Sequence, residues 1–388
     1  MQRYYPAVGG AEEMTRIVSE ALVGKGFGVD VYTTTAIEQE DLQAFGRGAA
    51  AVDVINGVRV FRYPVSPLPI PRFVIRAVDG LSIYPHGPYS WGMLKQLATG
   101  AYDVVVSSCF PNTYNYFAWL FSRLRGKGLV FYPLSHFDDR YHFDRSSLYA
   151  IMRGAGAVVA NTQFEANEYI RRGVRRENVF VSGACVEPDK YVRVESRIKE
   201  EHSASRMVLF TGRKEKGKGV GVFLNAAAEL SAKHADWLFV LAGPETKGYK
   251  REFQAKAESN RRVVSFGSVS EREKLSLLSA CDVLVLPSTI ESFGIVYLEA
   301  WMYEKPVIGV RRGVSSEVIS DGKDGVLVSP GDHRAVSGAI ERLLADPEMG
   351  RRMGVAGRKK VLARFTPEVV TGVFETAVLH TAGRRRAR

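Results

Sequence analysis

From residue 206 onward the chain alternates short runs of Val, Leu and Ile with helical patterns, and that alternation constrains its fold more than any other feature. The runs fall at 207–211, 237–242, 262–266, 282–287, 306–310 and 325–328. Segments of helical periodicity separate them, such as 220–233 with Ala226, Ala227, Ala228 and Leu230. A strand that is apolar on both faces must be covered on both, which points to a parallel sheet flanked by helices. The pattern predicts a doubly wound α/β domain with right-handed crossovers.

The first half alternates less regularly, with strand patterns at 29–33, 103–107, 129–132, 157–160 and 179–181. Residues 52–55 and 58–61 flank Asn56-Gly57, a dipeptide suited to the positive φ of a two-residue hairpin turn. Residues 187–205 are polar, highly charged and without apolar periodicity, so an interdomain linker is expected there. The expected division is a first domain over 1–186, the linker, a second domain over 206–366, and a C-terminal helix with a basic tail over 367–388. No internal repeat at a fixed period is visible.

Composition narrows the function classes. At 46% apolar and 24% charged, the chain has ordinary globular make-up, which excludes disordered and fibrous classes. Its longest apolar run, 114–121, is far short of the ~20 residues a membrane span needs. The opening Met1-Gln2-Arg3-Tyr4-Tyr5-Pro6 carries no apolar stretch of a secretory signal. The three cysteines, Cys109, Cys185 and Cys281, are too scattered for a disulfide framework or a thiolate metal site. A cytoplasmic protein is expected. The net charge is +11, of which +8 falls in 351–388, ending Gly383-Arg384-Arg385-Arg386-Ala387-Arg388. A nucleic-acid binder would spread its charge over a face, so nucleic acid is not an expected partner. Two readings of the tail stay open: a solvated extension, or peripheral attachment to an anionic membrane at about 1 kcal/mol per basic residue.

In doubly wound sheets ligands bind beyond the carboxyl ends of the strands, and the informative residues fall there. After 207–211 comes Gly212-Arg213-Lys214-Glu215-Lys216-Gly217-Lys218-Gly219, one residue away from a phosphate loop. Gly219 stands where the Mg²⁺-binding hydroxyl would be, which argues against a P-loop NTPase. The segment still sets cations and backbone N–H groups at a helix start, an arrangement that favours phosphate. After 282–287 comes Ser288-Thr289-Ile290-Glu291-Ser292-Phe293-Gly294, with Ser292 a candidate N-cap and Gly294 open to close backbone approach. Glu291 and Glu299 are eight residues apart, in a helix a rise of about 12 Å and a rotation of about 80°. They could grip two ends of an extended ligand but not act as a dyad on one atom. In the first half, Gly9-Gly10 precedes a helical pattern, and His136 follows the strand 129–132. The run from His136 to Asp144 interleaves histidines and carboxylates as a metal site would, but further ligands are not evident elsewhere.

Together these residues resemble the retaining glycosyltransferases of family 4. The resemblance covers Gly9-Gly10-Ala11-Glu12, His136, Gly212-Arg213 with Lys218-Gly219, Pro287-Ser288, Glu291 with Glu299, and Gly313 with Glu317. It extends through 266–288, Ser329-Pro330-Gly331-Asp332 and Phe365-Thr366. It implies the GT-B fold, two doubly wound Rossmann-like domains facing a cleft, the first on the acceptor side and the second binding the donor. It implies metal-independent transfer from a nucleoside-diphosphate sugar to a glycan or lipid-linked acceptor, with retention of anomeric configuration and no cofactor. Arg213 and Lys218 would neutralise the diphosphate, and the backbone of Ser292, Phe293 and Gly294 would bind its distal phosphate. Glu299 would hold the ribose hydroxyls and Glu291 would lie near the transferred sugar. Gly10 would face the donor phosphates and His136 would contact the sugar.

Two departures stand out. Gly183-Ala184-Cys185-Val186-Glu187 replaces the family's Pro-Asn-Gly-Val-Asp, and Cys185 tolerates positive φ poorly. Members also begin with a buried strand before Gly-Gly, whereas only Met1 to Val8 precede it here. The first strand of the sheet is therefore expected to be missing, with Met1 internal to a longer protein. An epimerase or phosphorylase of the same fold, and an inactive nucleotide-sugar-binding module, remain as alternatives. The stretch 68–97, apolar and basic, suits either a lipid-linked acceptor or ordinary helices and loops.

Overall fold

The computed structural model describes residues 1–388 except 8, 39, 44, 47, 68–88, 136, 138–142 and 387–388, with the backbone alone at 40, 43 and 384–386. The chain forms two compact units, Met1–Ala184 together with Pro367–Arg388, and Cys185–Thr366.

In the first unit, β1 (Asp30–Thr34), β2 (Ala51–Ile55) and β3 (Val58–Tyr63) form a sheet in the order β1-β3-β2. The β2–β3 hairpin turns on Asn56 (φ 49°) and Gly57 (φ 84°), as the dipeptide predicts. A separate, wholly parallel sheet runs β4 (Val104–Ser108), β5 (Gly128–Tyr132), β6 (Ala157–Ala160) and β7 (Val179–Val181). Among the described residues no strand precedes the helix Gly10–Gly24. Instead Met1 and Gln2 lie along β1: the Met1 amine donates to the Tyr32 carbonyl at 2.8 Å, and Thr34 Oγ1 donates to the Gln2 carbonyl at 2.6 Å. On β4 the side chain of Val106 is 43% exposed, an apolar residue in mid-strand without full cover.

The helix Pro367–Arg386 completes this unit. Lys25 pairs with Glu375 at 2.8 Å, Phe374 meets Tyr132 edge-on with ring centroids 4.9 Å apart, and His380 lies 3.3 Å from Asn178. Gly128 and Gly156 let it approach, since a Cβ at either would stand 2.8 or 2.5 Å from the methyl of Thr381.

The second unit holds a six-stranded parallel sheet of β8 (Arg206–Thr211), β9 (Trp237–Ala242), β10 (Val263–Phe266), β11 (Val283–Val285), β12 (Val307–Val310) and β13 (Gly325–Val328). The order β10-β9-β8-β11-β12-β13 reverses direction between β8 and β11, creating a switch point where ligands bind in such sheets. Every residue of β9, β11, β12 and β13 is buried, as two-sided apolar strands require.

Residues 187–205, expected from their polarity to be a linker, fall inside this unit. Ile198 is buried, Lys199 pairs with Asp282 at 2.7 Å, and Tyr303 donates to the Val192 carbonyl at 2.8 Å. Isolated contacts of this kind leave no periodicity to read. At the junction Gly183 takes the positive φ (74°), and Cys185 is buried without adopting one. No helix of the described residues is long and apolar enough to cross a membrane.

Candidate functional site

Two loops at the switch point are stitched together. The amide of Thr289 donates to the Gly217 carbonyl at 2.9 Å, and Lys218 Nζ donates to the Ile290 carbonyl at 3.1 Å and to Glu291 Oε1 at 2.8 Å. Both loops follow neighbouring strands, β8 and β11, so adjacency in the sheet brings their motifs side by side. Gly219 opens the helix Val220–Lys233 at φ 81°, and a Cβ there would stand 2.2 Å from the Pro287 carbonyl oxygen. A Ser or Thr at 219 has no room. The phosphate-loop likeness therefore ends for a steric reason as well as for want of a hydroxyl.

The second loop leads into the helix Ile295–Met302, whose N-cap is Gly294 at φ 83° with no side-chain cap. This corrects the expectation that Ser292 caps the helix. The cap position needs a positive φ, and a Cβ at Gly294 would meet the Tyr297 ring at 2.6 Å, so only glycine fits. Because the helix begins at Ile295, Glu291 lies in the loop and the helical rise and rotation assumed for Glu291 and Glu299 do not apply. The Phe293 ring is buried edge-on against Phe365 at 5.4 Å, which leaves its backbone to line the loop. Tyr297, fully buried, donates to the Leu286 carbonyl at 3.0 Å and ties the helix back to the end of β11; burial pushes its hydroxyl pKa up.

Glu299 sits in the second turn of that helix, 8% exposed. Its Oε1 accepts from Lys274 Nζ at 2.7 Å and from the Tyr191 hydroxyl at 3.4 Å. Lys274 also pairs with Glu271 at 2.9 Å. Burial alone would push the Lys274 pKa down, but the Glu299 and Glu271 carboxylates more than offset it and hold the ammonium above its ordinary value.

Arg213 projects its guanidinium, 61% exposed, with Glu215 at 3.3 Å. Its neighbour Lys214 is the opposite: its side chain is fully buried, bonded to Glu245 at 3.0 Å and to Ser265 Oγ at 2.6 Å, and lies over the Tyr249 ring. Burial holds this lysine below the ordinary value, with Glu245 opposing. Lys214 thereby ties together the carboxyl ends of β8, β9 and β10 while Arg213 stays on the surface. Neither Lys274 nor Lys214 was singled out by sequence reasoning. The signal for Lys274 was faint, a Glu271-x-x-Lys274 spacing on a helix; Lys214 was hidden in a run of basic residues.

Of the remaining expected residues, Gly10 is the first residue of the helix Gly10–Gly24 in the first unit. His136 and most of the run from His136 to Asp144, with its metal-like interleaving of histidines and carboxylates, lie outside the described residues. Among the described residues no group of three or more His, Cys, Asp or Glu side chains is placed to hold a metal ion.

Comparison with known proteins identifies the framework. The model of the glycosyl transferase 4-like domain matches residues 9–183, and that of glycosyl transferases group 1 matches residues 192–360. The chain is 34% identical over 149 residues to an alpha-D-kanosaminyltransferase of Streptomyces kanamyceticus, covering 38% of each chain. It is 26% identical over 362 residues to a D-inositol 3-phosphate glycosyltransferase of Paenarthrobacter aurescens, covering 89% of this chain and 87% of the relative. Against the first of its curated relatives the matched segments span less than half of their length, 36–45%. Among solved structures, the Anabaena protein HepE in complex with UDP and glucose superposes with a TM-score of 0.76 at 17% identity, over 97% of both chains. The fold is that of the GT-B glycosyltransferases, two Rossmann-like domains of parallel strands and alternating helices. Within that class, the chain belongs to the glycosyltransferases of family 4.

Proposed function

We propose that this protein transfers a sugar from a nucleoside-diphosphate sugar to an acceptor hydroxyl, with retention of configuration and without a metal ion. The observation that carries the reading is the stitched pair of loops beyond β8 and β11, which holds Lys218 against Glu291 beside a glycine-capped helix start. Cleaving the bond between the anomeric carbon and the diphosphate builds negative charge on the leaving group. Lys218, Arg213 and the N-terminal end of the helix Ile295–Met302 are the groups that stabilise such charge. In this reading the backbone around Ser292, Phe293 and Gly294 takes the distal phosphate, and Glu299 takes the ribose hydroxyls. Glu291 lies next to the departing sugar. The family resemblance further assigns Gly10 to the donor phosphates and His136 to the sugar. No side chain is assigned as a nucleophile, in keeping with same-face attack through an ion-pair-like transition state.

The acceptor is a glycan or a lipid-linked molecule, and the basic residues of the tail favour the second by drawing the protein to an anionic membrane. HepE is seen with UDP and glucose, so UDP leads the nucleotides to test. Thermal unfolding is measured with UDP, GDP, ADP and their sugar conjugates on wild type and Glu299→Ala. A ligand at about 100 times its Kd adds about 2.7 kcal/mol. The reading expects one nucleotide to raise the wild-type midpoint and to lose its effect in the variant. No shift with any nucleotide refutes it. Binding without turnover over a broad acceptor panel would favour a nucleotide-sugar-binding module instead.

A further inference from the structure

The carboxylate assigned to the ribose does not choose its own orientation. Glu299 Oε1 is taken by Lys274 at 2.7 Å and approached by the Tyr191 hydroxyl at 3.4 Å. Each of these partners is itself fixed. Lys274 is held from its own helix, Glu271–Ala280, by Glu271 at 2.9 Å. Tyr191 packs edge-on against Tyr303, with ring centroids 5.8 Å apart, and the Tyr303 hydroxyl is anchored on the Val192 carbonyl at 2.8 Å. The Glu299 side chain is 11% exposed and that of Lys274 25%, so the pair is largely withdrawn from solvent.

We propose that Lys274 is a positioning residue of the nucleotide site, holding Glu299 by Oε1 so that the carboxylate meets a ribose diol in one fixed orientation. The inference rests on the reading of Glu299 as the ribose-binding group. A glutamate side chain free to rotate loses rotamer freedom when it engages a ligand, and a cation that fixes it beforehand removes that cost. Lys274 reaches Glu299 from a different helix, so the arrangement depends on tertiary packing. It also places a positive charge within one side chain of the bound nucleoside, where a hydrogen bond between charged groups is stronger than a neutral one.

The test is calorimetric binding of UDP, GDP and ADP, each with its 2′-deoxy counterpart, to the full chain. The proteins compared are wild type, Lys274→Met, Lys274→Arg, Glu299→Gln and the Lys274→Met/Glu299→Gln double variant. For the nucleotide that binds, Lys274→Met is expected to weaken the ribonucleotide by about 10-fold or more, the cost of a charged hydrogen bond. The 2′-deoxynucleotide loses far less, so the preference for ribose collapses. Glu299→Gln is expected to give the same collapse, Lys274→Arg to restore most of the preference, and the double variant to lose no more than either single one. If Lys274→Met fails to fold because it leaves Glu299 without a counter-charge, the arginine and double variants carry the comparison. Equal loss for ribo and deoxy forms would mean a structural role and overturn the proposal. Preference kept in Lys274→Met but lost in Glu299→Gln overturns the role of Lys274 and leaves the reading of Glu299 standing. Preference kept in both, or no nucleotide bound by wild type, overturns the two together.

Discussion

Lys218 and Glu291 lie 73 positions apart in the chain and meet at 2.8 Å, each largely buried. Under the proposed function the cation assigned to the diphosphate is already paired with the carboxylate assigned to the sugar, and a donor would divide Lys218 between its phosphates and Glu291.

That sharing separates two kinetic effects. Lys218→Met should lower kcat/KM for the donor by about 100-fold or more, the scale of losing one charge-stabilising group. Glu291→Gln frees Lys218 for the phosphates, so the donor KM should stay within about 3-fold while kcat falls. Steady-state rates with the donor varied check both. A Glu291→Gln variant with unchanged kcat and raised KM would place the carboxylate in donor binding alone.

Gly219 offers a stability test that also addresses the phosphate-loop likeness. Gly219→Ser completes the motif on paper but drives a Cβ to 2.2 Å from the Pro287 oxygen at φ 81°. Backbone strain and overpacking together should cost about 3 kcal/mol or more. A clearly lowered unfolding midpoint with no gain of ATP hydrolysis is the expected outcome. A serine variant as stable as wild type would refute the packing described for this loop.

Lys274 also gives a pH dependence with a definite sign. Its folded-state pKa is raised above the ordinary 10.5, so the folded chain binds its proton more tightly than the unfolded one. The stability this contributes is fully present below 10.5 and is lost as pH rises through the folded value. Denaturant unfolding of wild type and Lys274→Met should show a constant gap from about pH 7 to 9 and a narrowing gap above about pH 10.5. A gap that widens with alkalinity would contradict the pairing with Glu299 and Glu271.

Membrane attachment makes a salt-dependent forecast. Cosedimentation with vesicles containing anionic lipid should fall when Arg384–Arg388 are deleted and should weaken steeply between low and physiological salt. Equal binding to neutral vesicles, or binding indifferent to the deletion, would remove the tail from any account of the acceptor.

Much of this was legible in the residues. The buried strands of the second unit announce themselves because parallel strands covered on both faces must be continuously apolar, and Asn56-Gly57 announces its hairpin because few dipeptides accept positive φ twice. The loops holding Lys218 and Glu291 were found because they follow strands. What escaped was set by contacts between distant positions. Tyr191 reaches Glu299 across 108 residues, and Lys274 across 25. The helix start at Gly294 instead of Ser292 was missed because the ring of Tyr297, packed beneath the cap, excludes a side chain there. Residues 187–205 read as a linker because isolated contacts, such as buried Ile198 and the Lys199–Asp282 pair, hold them in place of an apolar stripe.

The helix Pro367–Arg386 belongs to the first unit, although the whole of the second unit, 185–366, separates it in sequence from the rest of that unit. During synthesis the second unit can therefore finish folding while the first still lacks a helix that covers Tyr132 and Asn178. The order of translation is reversed in the order of completion: the half whose strands are made first is the half that must wait for its covering helix.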